Sequence, residues 1–215
     1  NGGSSIMENN IIVTIGRQYG SGGRIIGKKL SEKLDLKFYD KEILTLAAKE
    51  SGIHFGLFEE ADEKRTNHFW STLAMGTANY IRPHAYNDIP MDDRLFFIQS
   101  DIIKKVAKKE SCVIVGRCAD RILKDHPRIV KIFIHSSFED KIKRIADRFN
   151  IPESEAKELM IKKDKERANY YNYYSEGGWG EVDNYHLSID SSILGIDGTV
   201  ELLSTFVITK FNLSI

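Results

Sequence analysis

A glycine-rich segment near the start of the chain has the composition of a phosphate-binding loop. Gly16, Gly20, Gly22 and Gly23 follow the β-branched run at 11–15 and directly precede residues with helical spacing. Glycine lets backbone N–H groups approach a ligand closely, and the amino end of a helix carries about half a positive charge. The order of strand, glycine loop and helix therefore predicts an anion site, most commonly for phosphate. The alternative is an ordinary strand-to-helix turn that binds nothing.

The segment departs from the standard phosphate-loop pattern, G-x-x-x-x-G-K-[ST]. With the loop at 20–22, Gly23 takes the position of the lysine and Arg24 follows it. A second possible alignment of the pattern, at 22–29, lies inside the following helix, where the backbone amides are already bonded. We therefore reject it. The dinucleotide pattern G-x-G-x-x-G fails too, because Ile25 stands where its last glycine should be. We expect Arg24 to replace the lysine; otherwise it is a solvated residue of the first helical turn.

Short apolar strands alternate with amphipathic helices along the rest of the chain. This alternation predicts an open parallel sheet that is covered by helices on both faces and binds ligands beyond the carboxyl ends of its strands. Residues 53–93 have weak periodicity, with helical pieces expected around 56–81 and a loop at 87–93. The expected strands are 11–15, 36–39, 112–116, 129–134 and 187–189, and the expected helices are 24–34, 41–51, 94–110, 117–123, 138–149, 152–174 and one around 200–207.

The composition of the chain limits which partners and which cellular compartment we expect for it. The 215 residues include 31 basic and 31 acidic side chains, so bulk attraction to nucleic acid or an anionic membrane is not expected. The two cysteines, Cys112 and Cys118, form neither a zinc pattern nor a disulfide framework and favour a reducing cytoplasm. No run approaches the length of a membrane helix, and no signal peptide is visible. We expect one cytoplasmic domain over 7–215, with residues 1–6 a remnant before Met7.

Six segments occur in order along the chain: GRQYGSGGRIIGKKLSEKL at 16–34, FYDKEIL at 38–44, CVIVGRCADRIL at 112–123, VKIFIH at 130–135, DKERANYYNYY at 164–174 and NYHLSID at 184–190. Taken together, they resemble the cytidylate kinase-like family, the relatives of bacterial cytidylate kinase. The resemblance implies a three-layer P-loop kinase fold with a five-stranded parallel sheet in the order 2-3-1-4-5, an acceptor-side segment at 53–93 and a helical lid at 150–180. It also implies transfer of the γ-phosphoryl group of ATP to a nucleoside monophosphate, with Mg²⁺.

The chain departs from the family pattern both in the phosphate loop and at positions that matter for the acceptor. Gly23 replaces the loop lysine, Val115 replaces an aspartate, and the segment 42–46 lacks the arginine of a Gly-Ala-x-Tyr-Arg motif. Cytidylate is the leading acceptor, and the open alternatives are a kinase of another small molecule and a non-catalytic nucleotide or phosphate sensor. A protein-interaction module would leave the glycine loop unexplained.

The candidate site residues follow from what phosphoryl transfer requires. It depends on positioning and on neutralising charge on the phosphate oxygens, for which arginine is well suited. We expect Arg24, Arg117 and Arg167 to take part in catalysis, and Ser21 is the candidate metal ligand. The expected ATP phosphate site comprises Arg17, Gln18, Gly20, Ser21, Gly22, Gly23, Arg24 and Ile25, and the expected acceptor site comprises Asp40, Lys41, Arg94, Arg117, Lys163 and Arg167.

Overall fold

Five short strands pair side by side in one parallel sheet, in the order β2-β3-β1-β4-β5. This order confirms the predicted one. The computed structural model describes residues 9–40, 43, 45, 46, 49 and 91–213. The strands are β1 Ile12–Arg17, β2 Lys37–Tyr39, β3 Cys112–Val115, β4 Ile129–His135 and β5 Leu187–Asp190.

The inner strands β1, β3 and β4 are mostly buried on both faces of the sheet. In β1, Ile12 and Thr14 point to one face and Val13 and Ile15 to the other, and all four are at most 1% exposed. The central register places Val13 between residues 113 and 130 of the neighbouring strands. Such continuous β-branched runs are typical of parallel sheets buried between two helical layers.

Helices follow most of the strands, as the alternation predicts. A 3-10 turn at Val182–Asn184 precedes β5. Helices α1 and α6 pack on one face of the sheet, where their apolar side chains join those of β1, β3 and β4 in one core cluster. The helices whose bounds lie within the described residues are α1 Gly23–Lys33, α2 Met91–Lys109, α3 Ala119–Ile122, α4 Phe138–Phe149, α5 Glu153–Tyr174 and α6 Ser191–Phe211. Residues 43, 45, 46 and 49, within the expected helix 41–51, are helical as well.

The chain divides into two compact units. One is Asn1–Asp40 with Ile103–Ile215, and it contains the sheet and the glycine-rich loop; the other is Lys41–Ile102. The expectations for 1–6, for helical pieces at 56–81 and for the part of the loop up to 90 fall outside the described residues. One domain over 7–215 stays a prediction.

Three expected boundaries are wrong. Residues 91–93 belong to α2 and not to a loop, and their two aspartates suit the positive end of a helix. The helix after β3 begins at Ala119, because Arg117 and Cys118 adopt left-handed backbone angles. Helix α6 begins at Ser191, well before the periodic residues around 200, and bends at Gly195, whose φ is 65°.

Helix α6 corrects the expectation that no segment reaches the length of a membrane helix. It has 21 residues and a mean hydropathy of 1.4, so by length and composition alone it could span a bilayer. The helix lies on the sheet, however, and Asp197 and Glu201 form ion pairs with Lys29 and Lys33 of α1. A helix packed in this way on a sheet is weak evidence for a membrane span.

Candidate phosphate-binding site

The loop between β1 and α1 is shaped by glycines that no other residue could replace without strain. Gly20 and Gly22 have φ angles of 81° and 77°, in the left-handed region. A Cβ on Gly20 would lie 2.8 Å from the backbone oxygen of Lys141, and a Cβ on Gly22 would overlap Ile196. The loop backbone is therefore held close against α4 and α6.

Side chains and backbone inside the loop fix its course. The Ser21 hydroxyl is fully buried, donates to the Gln18 oxygen at 2.9 Å and accepts from the Gly23 N–H at 3.3 Å. Metal binding by Ser21 stays a prediction. Among the described residues, no group of three His, Cys, Asp or Glu side chains could hold a metal ion.

The amino end of α1 has few protein partners among its described residues. Its N-cap, Gly22, has no side-chain cap, and the first turn contains no acidic residue. The first N–H groups of a helix have no partner within the helix, and the helix dipole makes this end positive. Backbone groups of this kind suit an anion, and the anion site stays a prediction.

A cleft of about 410 Å³ opens over the loop. Five of its lining residues are arginines, and none of the described lining residues is acidic, so the cleft favours a multiply charged anion. Tyr19, Ile25 and Phe149 give it apolar surface as well. It is lined by Arg17, Gln18, Tyr19, Gly20, Gly22, Gly23, Arg24, Ile25, Arg144, Ile145, Arg148, Phe149 and Arg167.

Arg24 is paired with a carboxylate. Its Nε lies 2.5 Å from Oδ2 of Asp40, which directly follows β2. The Asp40 side chain is only 4% exposed, whereas that of Arg24 is 52% exposed. The structure thus joins a residue expected at the ATP phosphates to one expected at the acceptor, and the positive charge of Arg24 is balanced before any ligand binds.

Arg17 crosses the site from the end of β1. Its Cβ and Cγ pass over Gly23, and its guanidinium lies against Gly116, at the carboxyl end of β3. The Arg17 backbone oxygen accepts a hydrogen bond of 3.2 Å from Nη1 of Arg167. Arg17 therefore connects the loop, the end of β3 and helix α5.

Helix α5, which makes up most of the expected lid, is bonded to the loop. Asp164 Oδ1 accepts from the Tyr19 N–H at 2.6 Å, and the Arg167 guanidinium lies 5.1 Å from the centroid of the Tyr19 ring. Lys141 Nζ is 3.7 Å from Asp164 Oδ2 and donates to Oε1 of Gln18 at 3.0 Å. Burial raises the pKa of Asp164, and its hydrogen bond with Tyr19 and the nearby cations oppose that rise.

Helix α4 supplies two cleft arginines that the sequence analysis missed. Arg144 donates to the backbone oxygen of Gly20, and the Arg148 guanidinium lies 5.2 Å from the centroid of the Phe149 ring. The two arginines stand four residues apart on one helix, so they share a face. That spacing, in the helix after the fourth strand, was the available signal.

The remaining predicted site residues are not all brought together. Arg117 is buried, at 6% exposure, beside the end of β3. Lys163 of α5 lies 3.2 Å from Glu166 and is not among the described cleft residues. Arg94 belongs to the second compact unit, and Lys41 is outside the described residues. The structure therefore groups the predicted phosphate residues, with Arg167, more clearly than the acceptor residues.

Asp120 of α3 lies buried and bonded within the protein. It is 5% exposed, and its Oδ2 accepts a hydrogen bond of 2.7 Å from the Tyr171 hydroxyl. Burial raises the pKa of both groups. Trp179 packs edge-on against Phe133, with ring centroids 5.5 Å apart. Trp179 and Tyr171 thus pack within the protein.

Comparison with known proteins gives the same fold. Residues 12–193 match the cytidylate kinase-like family. An uncharacterized protein from Eubacterium ventriosum is 30% identical, with a TM-score of 0.69 over 92% of this chain and 98% of the other. Shikimate kinase from Bacteroides thetaiotaomicron is 14% identical, with a TM-score of 0.51 over 91% and 97%. No curated protein sequence matches significantly. The sheet order and these similarities establish the P-loop kinase fold.

Proposed function

The chain belongs to the cytidylate kinase-like family, and we propose that it transfers the γ-phosphoryl group of ATP to a nucleoside monophosphate, with cytidylate as the leading acceptor. Family and fold support phosphoryl transfer to a small molecule. The observation that carries the proposal is the arginine-lined cleft over the amino end of α1. The choice of cytidylate rests on the family alone.

The loop fits the donor phosphates of ATP. The backbone N–H groups of residues 20–23 and the positive end of α1 would hold the phosphate oxygens. Arg144 and Arg167 already bond to backbone oxygens of Gly20 and Arg17, so their guanidinium groups are positioned before the ligand arrives. Donors fixed in advance stabilise the charge that spreads over the transferred group at low reorganisation cost.

Helix α5 helps to exclude water from the site. Its Asp164 and Arg167 contact the loop through Tyr19 and Arg17. Exclusion of water strengthens electrostatic interactions and limits hydrolysis of the donor. In this arrangement Arg167 both bonds to the loop and lines the cleft, which supports the role proposed for it in catalysis.

The acceptor side of the proposal depends on fewer contacts. Arg117 stands beside the carboxyl end of β3, where parallel sheets bind ligands, and would hold the acceptor phosphate. Asp40 would orient the acceptor hydroxyl or a water on magnesium. Lys41, Arg94 and Lys163 stay candidates from the sequence.

Magnesium fits as an ion carried mainly by the nucleotide. In kinase sites it usually keeps several waters and takes one or two carboxylates together with substrate phosphates. When bound, it neutralises phosphate charge. Asp40, whose carboxylate contacts Arg24, is the protein group we propose for its shell.

A coupled assay of ATP turnover with Mg²⁺ tests the proposal against CMP, dCMP, UMP, AMP and GMP. The variant Arg144→Gln removes a cleft cation, and Arg128→Gln is its charge-matched control. Arg128 directly precedes β4, at the amino end of that strand, and its guanidinium lies over the ring of Phe211. We expect turnover with CMP, roughly hundredfold lower kcat in Arg144→Gln because a charge-assisted contact is lost, and little change in Arg128→Gln.

The alternatives predict different outcomes in the same assay. Turnover with none of the five acceptors, together with ATP binding, would contradict the nucleotide kinase and favour another small-molecule acceptor or a sensor. Equal activity in Arg144→Gln and Arg128→Gln would contradict the role of the cleft.

A further inference from the structure

We propose that Arg17, and not Arg24, supplies the positive charge that a lysine supplies in a standard phosphate loop; this inference rests on the proposed function. Counted back from Gly22, the pattern G-x-x-x-x-G-K-[ST] places its first glycine on Arg17 and its lysine on Gly23. Relative to that pattern, the chain has a cation where a glycine is usual and a glycine where the cation is usual.

Gly23 leaves room for the Arg17 side chain. A Cβ on Gly23 would lie 2.6 Å from the Cβ of Arg17 and 3.1 Å from its Cγ. Gly23 is the first residue of α1 and does not share the left-handed φ of Gly20 and Gly22. Glycine is therefore required at this position because a Cβ would overlap Arg17, and not because of the backbone angles. The stem of Arg17 occupies the volume from which a lysine side chain at 23 would start.

Gly116 makes room for the other end of the same side chain. The Arg17 guanidinium lies so close that a Cβ on Gly116 would overlap Nη1 and approach Cζ to 2.8 Å. Gly116 directly follows β3, so the guanidinium lies between the loop and the carboxyl end of a central strand. Ligands of parallel sheets bind at this position. Arg17 also lines the cleft together with Gly22 and Gly23.

Arg24 is less suited to the role. Its Nε bonds to Asp40 at 2.5 Å, and the Asp40 side chain is 4% exposed. Moving Arg24 to a phosphate would break this ion pair with a buried carboxylate, which is costly. We assign Arg24 to positioning Asp40 and Arg17 to contacting the β- and γ-phosphates of the donor.

The test measures affinity for ATP, ADP and AMP with Mg²⁺ by titration calorimetry, since a cation at the distal phosphates affects ATP more than AMP. We expect Arg17→Gln to weaken ATP binding by roughly ten- to hundredfold, the value of a charge-assisted hydrogen bond, and to change AMP binding little. Arg128→Gln is the charge-matched control, and we expect it to preserve the ratio of ATP to AMP affinity. Arg24→Gln tests the competing residue and should change that ratio less than Arg17→Gln does.

An exchange of the two residues gives a second test. Gly23→Lys alone should lose ATP binding because its side chain meets Arg17. The double variant Arg17→Gly with Gly23→Lys restores the standard pattern and should bind ATP within about tenfold of the wild type, since one phosphate-contacting cation is kept. Ligand-free melting temperatures check folding. If Arg17→Gln does not fold, the role of Arg17 is tested by comparing ATP binding to Gly23→Lys with ATP binding to the double variant.

The outcomes separate this inference from the proposed function. Absence of ATP binding to the wild type would overturn both. ATP binding with an unchanged ratio of ATP to AMP affinity in Arg17→Gln would overturn the role of Arg17 alone. So would a Gly23→Lys variant that binds ATP like the wild type, or a double variant that binds no better than Gly23→Lys.

Discussion

Replacing Gly20 by alanine tests the close packing of the loop against α4. Gly20 has a φ of 81°, and an L-residue there costs roughly 1–2 kcal/mol. The new Cβ would also lie 2.8 Å from the Lys141 backbone oxygen and 2.9 Å from Ile145 Cδ1. A backbone oxygen cannot rotate away, so this overlap adds about 1–3 kcal/mol. We expect Gly20→Ala to lower the free energy of unfolding by about 2–5 kcal/mol.

Gly195 provides a comparison in which the new Cβ meets open space. A Cβ on Gly195 would meet no atom within 4 Å, but its φ of 65° and ψ of −175° lie in a region that is almost restricted to glycine. Gly195→Ala should therefore cost about 1–3 kcal/mol from backbone strain alone. Urea unfolding at constant m-value measures both variants. We also expect Gly20→Ala, and not Gly195→Ala, to weaken ATP binding. A Gly20→Ala variant with unchanged stability, or equal ATP binding by the two variants, would refute the packing argument.

Three further predictions concern groups outside the loop. Tyr171→Phe removes the hydrogen bond from the Tyr171 hydroxyl to the buried Asp120. It should lower the free energy of unfolding, measured in urea, by about 1–3 kcal/mol. The control Tyr173→Phe, at a 54% exposed position, should have almost no effect. Asp190→Ala removes the N-cap of α6 and should cost about 1 kcal/mol. Hydrogen bonding, chiefly from the Ser192 hydroxyl, lowers the pKa of Asp190 from 3.8. The difference in free energy of unfolding between wild type and Asp190→Ala should therefore persist at neutral pH and shrink as the pH falls below 3.8. A difference that stays constant with pH would contradict this. Burial raises the pKa of the Cys112 thiol to about 12, so iodoacetamide at pH 8 should label it, by mass spectrometry, only after unfolding.

The sheet was predictable because its strands carry an unambiguous signal. Residues 12–15 are buried on both faces, so the run is continuously apolar and cannot be confused with an exposed segment. The beginning of α6 was missed for the opposite reason. Ile193 is 77% exposed, Leu194 is 46% exposed, and Gly195 interrupts the helical backbone, so this segment lacks the periodicity of a helix with one buried face.

The loop was predictable from its glycines, but its charged partners were not. The Arg24–Asp40 pair joins residues sixteen positions apart on different elements, and sequence spacing does not place such side chains together. Arg144 lies on a helix whose apolar residues explain its periodicity, and nothing in that pattern shows that the polar side reaches the loop. The course of Arg17 over Gly23 and Gly116 depends on strand order as well as on side-chain direction.

The central claim is that the backbone of the loop holds nucleotide phosphates. The most direct measurement is the change in backbone amide NMR signals of the ¹⁵N-labelled protein on titration with a non-hydrolysable ATP analogue and Mg²⁺. We predict the largest shifts for the amides of residues 20–23, with smaller shifts for the cleft arginines of α4 and α5. Saturable binding that leaves these four amides unchanged and shifts signals elsewhere would contradict the account.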